Sequence, residues 1–127
     1  MADLSDIVFD SLHPASLAGF WAAVLDGYAI REYDALEIER LAGLGFTPET
    51  DPAVAVDGPG PTLFFQKTEQ RKRSRNRVHL DVVGPVRQRE VERLVELGAT
   101  IRGEWEGHTV MFDPEGNEFC VRGPKPE

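Results

Sequence analysis

The sequence predicts an α+β fold assembled from two similar units in tandem, and three observations carry that expectation. First, Ile7–Gly27 lies over Val78–Gly98 at a constant offset of 71, setting Asp10 on Asp81, Pro14 on Pro85, Val24 on Val95 and Gly27 on Gly98. The apolar positions agree as well: Phe9 with Leu80, Leu12 with Val83, Phe20 with Val91. Second, a later block repeats at offset 56, with Val56-Asp57-Gly58-Pro59-Gly60 over Phe112-Asp113-Pro114-Glu115-Gly116. Third, short β-branched or apolar runs alternate with stretches whose apolar residues recur at helical spacing. Each half therefore reads strand, proline, helix, glycine, then a turn and a closing strand. Two such units joined head to tail often enclose one cavity, and function is expected there.

Ile7–Leu12 is short and apolar-rich, as a strand requires. Pro14 suits the first turn of a helix, along which Leu17, Phe20, Trp21, Val24 and Leu25 recur before Gly27 stops it. Ala29–Tyr33 is the next predicted strand. Asp34 opens a second helix, with Glu37 completing a capping box; Leu36, Ile38, Leu41 and Leu44 form its apolar side, and Gly45 ends it. Thr47–Pro52 is a loop. Val54–Val56 and Thr62–Lys67 are strands around the Asp57–Pro61 turn, whose glycines and prolines fit little else. In the second half, Val78–Val83 is a strand and Val86–Leu97 a helix with Val91, Leu94, Val95 and Leu97 on its apolar side. Ile101–Trp105 and His108–Phe112 form a hairpin about Glu106-Gly107, Asp113–Asn117 a turn, Glu118–Arg122 the last strand, and Pro124–Glu127 a loose tail.

A competing echo exists at offset 53, where Glu37-Ile38-Glu39-Arg40-Leu41 matches Glu90-Val91-Glu92-Arg93-Leu94. Offset 71 is preferred because it brings the preceding strand and proline with the helix. The first unit then carries an extra helix, near residues 35–45, that the second lacks.

The 127 residues suit one domain with a real core, or two small modules. About two-fifths of them are hydrophobic, which argues against disorder. No apolar run approaches the ~18 residues of a membrane span. The N-terminus lacks a basic-then-apolar signal, and Cys120 is the only cysteine, so the expected location is the cytoplasm. The net charge of −8 disfavours nonspecific nucleic-acid binding. The basic run Lys67, Arg71, Lys72, Arg73, Arg75 reads as a solvated connector between the units.

Asn76-Arg77-Val78-His79-Leu80-Asp81-Val82, then Leu97-Gly98-Ala99-Thr100, then Asp113-Pro114-Glu115-Gly116-Asn117-Glu118-Phe119-Cys120-Val121 resemble the glyoxalase-like proteins of the vicinal oxygen chelate superfamily. Phe20–Leu25 and Phe64-Phe65-Gln66 are similar to the same family; residues 30–53 depart from it. The resemblance implies two βαβββ modules, residues 4–67 and 77–123 with a connector over 68–76, whose sheets form an open, incomplete β-barrel with helices outside. It also implies a homodimer and a small-molecule ligand, in many members beside a divalent metal. The family's ligand places fall on Val8, Phe64, His79 and Cys120. Only His79 keeps a usual ligand, which falls short of the three that a catalytic metal needs. No metal is therefore expected; the alternative is a rebuilt site using His79 with Asp81 or Glu118, since strand alternation places Asp81 on the face of His79 and Glu118 on that of Cys120. A Cys120 thiolate with His79 as base is a further reading, and it needs hydrogen-bond reach and an orienting group.

Without a metal, Asp10 and Asp81 are expected to point into the shared hollow as polar anchors in an otherwise apolar pocket. Gln66 and Arg122 align at the ends of the closing strands and can line its mouth; Trp105 can cover a planar ligand. The first expectation is thus a small-molecule-binding protein with cavity residues Asp10, Gln66, His79, Asp81, Trp105, Cys120 and Arg122. The second is a divalent-metal-dependent lyase or isomerase, and the third a structural or regulatory dimer with a filled cavity. Asp113–Asn117 is expected to shape a turn and carry no chemistry.

Overall fold

The computed structural model describes residues 1–124 and divides into two compact units, Met1–Arg71 and a second from Lys72 onward. The last three residues of the expected tail lie outside the described residues.

The first unit runs β1 (Asp6–Ser11), α1 (Pro14–Val24), β2 (Ala29–Ile30), α2 (Ala35–Gly43), β3 (Ala53–Asp57) and β4 (Thr62–Lys67). Its sheet has the order β1-β4-β3-β2, with β1 parallel to β4 and the other pairs antiparallel. Strand alternation divides the residues between two faces. One face packs against α1: Val54, Val56, Leu63 and Phe65 are buried with Leu17, Ala18, Phe20, Trp21 and Val24. Phe9 joins them, its ring centroid 4.9 Å from Phe65 and 6.0 Å from Trp21. Each fully buried large side chain contributes about 1.5–3 kcal/mol. The other face carries Val8, Asp10, Ala53, Ala55, Phe64 and Gln66.

The inserted helix differs from its sequence expectation. The strand ahead of it is only Ala29–Ile30; the Arg31 N–H still donates to the Ala55 carbonyl at 2.9 Å, after which the chain leaves the sheet edge. Half of the capping box forms: the Asp34 carboxylate accepts the Glu37 N–H at 2.8 Å, while the Glu37 carboxylate turns to Arg40 at 2.6 and 3.0 Å. Of the four apolar residues assigned to the helix's inner side only Leu41 is buried; Leu36, Ile38 and Leu44 remain exposed.

The second unit runs β5 (Leu80–Val83), α3 (Arg87–Leu97), β6 (Thr100–Trp105), β7 (His108–Phe112) and β8 (Glu118–Arg122), in the order β5-β8-β7-β6. Both units are βαβββ modules with the same strand order and the same parallel first–last pair. The strand begins at Leu80, two residues later than expected, and α3 buries Val91 and Leu94 while Val95 and Leu97 stay exposed. Gly98 caps α3 at φ 118°, a left-handed conformation open to glycine, and lets the Ala99 N–H return to the Leu94 carbonyl at 3.0 Å. The turn before β8 is held by buried Asp113, whose Oδ1 accepts the Glu115 and Asn117 N–H groups at 2.9 and 3.0 Å. No helix among the described residues is long and apolar enough to cross a membrane.

One register difference separates the modules. In the first, Asp10 stands opposite Gln66. The aligned residues in the second, Asp81 and Arg122, are not partners: Asp81 stands opposite Cys120, and Arg122 opposite Val83. A shift of two residues keeps every side chain on its own face but changes its neighbours.

Candidate functional site

On the first module's open face, Gln66 Nε2 donates to Asp10 Oδ1 at 2.8 Å, so two expected cavity residues form one exposed polar pair. Beside them Val8 and Phe64 are register partners, and neither can ligate a cation. Next to this apolar pair, under the inserted segment, lies a pocket of about 580 Å³. Phe64, Ala53 and Ala55 supply apolar lining from the sheet; Glu32, Tyr33, Glu37 and Arg40 come from the segment that holds α2.

Most of the polar groups that line that pocket are held by a partner. Arg31 forks onto Asp57 through Nε at 2.8 Å and Nη2 at 2.9 Å, and this pairing holds the Asp57 carboxyl below its ordinary range. Tyr33 donates its hydroxyl to Asp51 Oδ2 at 2.7 Å, while Asp51 Oδ1 accepts the Ala53 N–H at 2.9 Å. Asp51 is thereby buried with both oxygens satisfied. Burial and the Asp51 carboxylate push the Tyr33 phenol above its ordinary value.

On the second module's open face the structure brings His79, Asp81 and Cys120 together. One ligand atom of each lies within 4.8 Å of the others, and His79 Nε2 is 3.2 Å from Asp81 Oδ1. Burial, then the charge and hydrogen bonding of Asp81, raise the Cys120 thiol, the direction opposite to that of an activated nucleophile. An imidazole, a carboxylate and a sulfur make a set of three protein ligands, the number a catalytic zinc takes with one position left open. The sulfur favours zinc-like ions over Mg²⁺ or Mn²⁺. The residues therefore fit a borderline divalent ion, which would supply Lewis-acid polarisation of a bound oxygen.

Glu118 does not join that group. Its carboxylate is engaged by Lys72 Nζ at 2.8 Å and the Asn76 N–H at 2.9 Å, tying the connector to the last strand. Burial alone would raise the Glu118 carboxyl, but these partners outweigh it and the net direction is down. Trp105 is half-exposed and lies over Gly103, its ring parallel to His108 with centroids 5.6 Å apart; Arg87 Nη1 donates to its carbonyl at 2.9 Å. Trp105 thus packs on its own hairpin. Arg122 shares the face of Cys120 and donates to the Gly123 carbonyl at 3.3 Å.

Sequence reasoning passed over Arg31, Tyr33, Arg40 and Asp51. The only signal pointing to them is that residues 30–53 break the internal repeat. The Tyr33–Asp51 pair spans 18 residues across an inserted helix, and no periodicity marks it.

Comparison with known proteins agrees with this architecture. A structure of a glyoxalase/bleomycin resistance protein/dioxygenase family enzyme from Burkholderia phytofirmans PsJN matches with a TM-score of 0.68 at 16% identity, covering 96% of this chain and 98% of that one. A glyoxalase/dioxygenase from Nostoc punctiforme matches with a TM-score of 0.64 at 17% identity, over 98% and 92% of the two chains. The fosfomycin resistance protein FosX from Mesorhizobium loti matches with a TM-score of 0.63 at 12% identity, again over 98% and 92%. At these identities the likeness concerns the fold. No curated protein matches the chain in sequence. The glyoxalase-like domain model matches residues 6–122, nearly the whole chain, and the chain belongs to that family.

Proposed function

We propose that this glyoxalase-like protein binds a small organic molecule on the open face of its first module, and that binding there needs no metal. The observation that carries this reading is the pocket of about 580 Å³ beside α2. Its volume falls within the roughly 300–1,000 Å³ typical of small-molecule sites. Apolar lining from Phe64, Ala53 and Ala55, with polar groups already held in place, suits a ligand that is oriented rather than merely absorbed. The module's two family ligand places, Val8 and Phe64, offer no donor atoms. A chelator-treated sample should give the same thermal shift with a binding compound as an untreated one. Loss of that shift on chelation, with recovery on adding back zinc, would defeat the metal-independent reading.

The cluster of His79, Asp81 and Cys120 favours a second reading, a divalent-metal-dependent lyase or isomerase. Cobalt(II) titration tests it without needing a substrate: a thiolate-to-cobalt charge-transfer band at stoichiometric metal, absent from Cys120→Ser, would support it. A featureless titration would remove it. Homodimerisation and a cytoplasmic location belong to the same proposal; sedimentation equilibrium checks the first and fractionation of the producing cell the second.

A further inference from the structure

We infer that the pocket beside α2 selects an organic cation, a compact amine or quaternary ammonium carrying an aromatic or apolar body. The inference rests on the pocket being a ligand site, and adds the chemical class. Four carboxylates line the pocket, those of Glu32, Asp34, Glu37 and Asp51, against two guanidiniums. Both guanidiniums are already paired with a carboxylate. Arg31 is forked onto Asp57 and Arg40 onto Glu37, each by two hydrogen bonds between 2.6 and 3.0 Å. Each pair cancels its guanidinium's charge, so the lining as a whole is negative and offers an anion no net attraction.

The carboxylates are not equally occupied. Asp51 accepts from Tyr33 and the Ala53 N–H, and Asp34 accepts the Glu37 N–H. Glu32 makes no hydrogen bond or ion pair among the described residues, leaving an uncompensated negative charge on the pocket wall. Two aromatic residues accompany it. Tyr33 and Phe64 both line the cavity, and the negative face of an aromatic ring attracts a cation. A cavity of ligand size, two rings and an unpaired carboxylate together describe a receptor for positive charge on an apolar body. The hydroxyl of Tyr33, directed to Asp51, keeps its ring fixed while the ring serves as a wall.

Three probes of nearly equal shape test this: benzyltrimethylammonium, dimethylbenzylcarbinol and phenylmethanesulfonate, a cation, a neutral alcohol and an anion. Each is titrated into the isotopically labelled full chain and followed by amide chemical-shift changes. The expected result is that the cation shifts residues 31–37, 53–55 and 64, with affinity about tenfold above the alcohol, the scale of a cation–ring and carboxylate contact. Added salt should weaken it, and the anion should not bind. Glu32→Gln should lose several-fold in affinity, and Glu32→Lys more; Glu32 is exposed, so both variants keep the rest of the spectrum as a check of folding. Equal or tighter binding of alcohol or sulfonate at the same residues overturns the cation assignment and leaves the pocket reading standing. Unchanged cation affinity in Glu32→Lys overturns the assignment too. Shifts elsewhere only, or none with any probe, overturn both.

Discussion

The two modules share strand order, helix placement and a parallel first–last strand pair, yet their open faces differ in kind. The first presents Val8 and Phe64 as apolar partners, a polar Asp10–Gln66 pair and a pocket roofed by an inserted segment. The second presents His79, Asp81 and Cys120 within 4.8 Å of one another. The helix-facing surfaces are alike because they answer one demand, removal of apolar area from water. The open faces are free of that demand and carry different side chains. A two-residue register difference is enough to give Asp10 an amide partner and Asp81 a thiol.

If the helix-facing surfaces are equivalent, damage to either should be severe. Phe65→Ala and Phe119→Ala, both at residues with no exposed surface, should each cost about 3–5 kcal/mol in urea denaturation. A loss under about 1 kcal/mol at either would break the parallel. On the first module alone, Tyr33→Phe strips the buried Asp51 of a donor and should cost about 1–2 kcal/mol. The same phenol gives a pH signature. Its folded value is raised, so its stabilising effect is complete below the ordinary tyrosine value of 10.0 and fades as pH rises through the higher folded value. Chemical denaturation across the alkaline range should show that decline in the parent and not in Tyr33→Phe.

On the second module alone, Asp81→Asn removes a charge that raises the Cys120 thiol. Alkylation by iodoacetamide at neutral pH should quicken about threefold, a change expected of a modestly lowered thiol value. An unchanged rate would mean that burial by itself sets the thiol. The smallest effect is expected from Gln66→Ala. The Asp10–Gln66 pair is exposed, and its loss should shift stability by less than about 0.5 kcal/mol while altering only neighbouring amide signals.

Much of this was legible in the chain itself. The offset-71 repeat announced two like modules, and strand alternation set Asp10 apart from Phe9 and placed Asp81 on one face with His79. Asp113-Pro114-Glu115-Gly116-Asn117 spelled its own turn, with Gly116 at φ 86° and the Asp113 carboxylate accepting from Asn117. The inserted helix was legible from its cap, but not its packing: four apolar residues at helical spacing say that a helix can form, not that a partner exists to cover them. Leu41 found one, and Leu36 did not.

What the sequence determined by itself, then, is local and periodic: elements, turns, faces and the duplication. Those follow from backbone sterics and from burial patterns that act between near neighbours along the chain. The tertiary structure decided which residues meet. Cys120 faces Asp81 rather than a more distant aspartate, Glu118 turns to Lys72, and Tyr33 reaches Asp51, because strand register and loop path are set by the sum of many side-chain contacts. A register can slide by two residues without moving any apolar group off its face, and for that reason no hydrophobic pattern could have named the neighbours that the chemistry depends on.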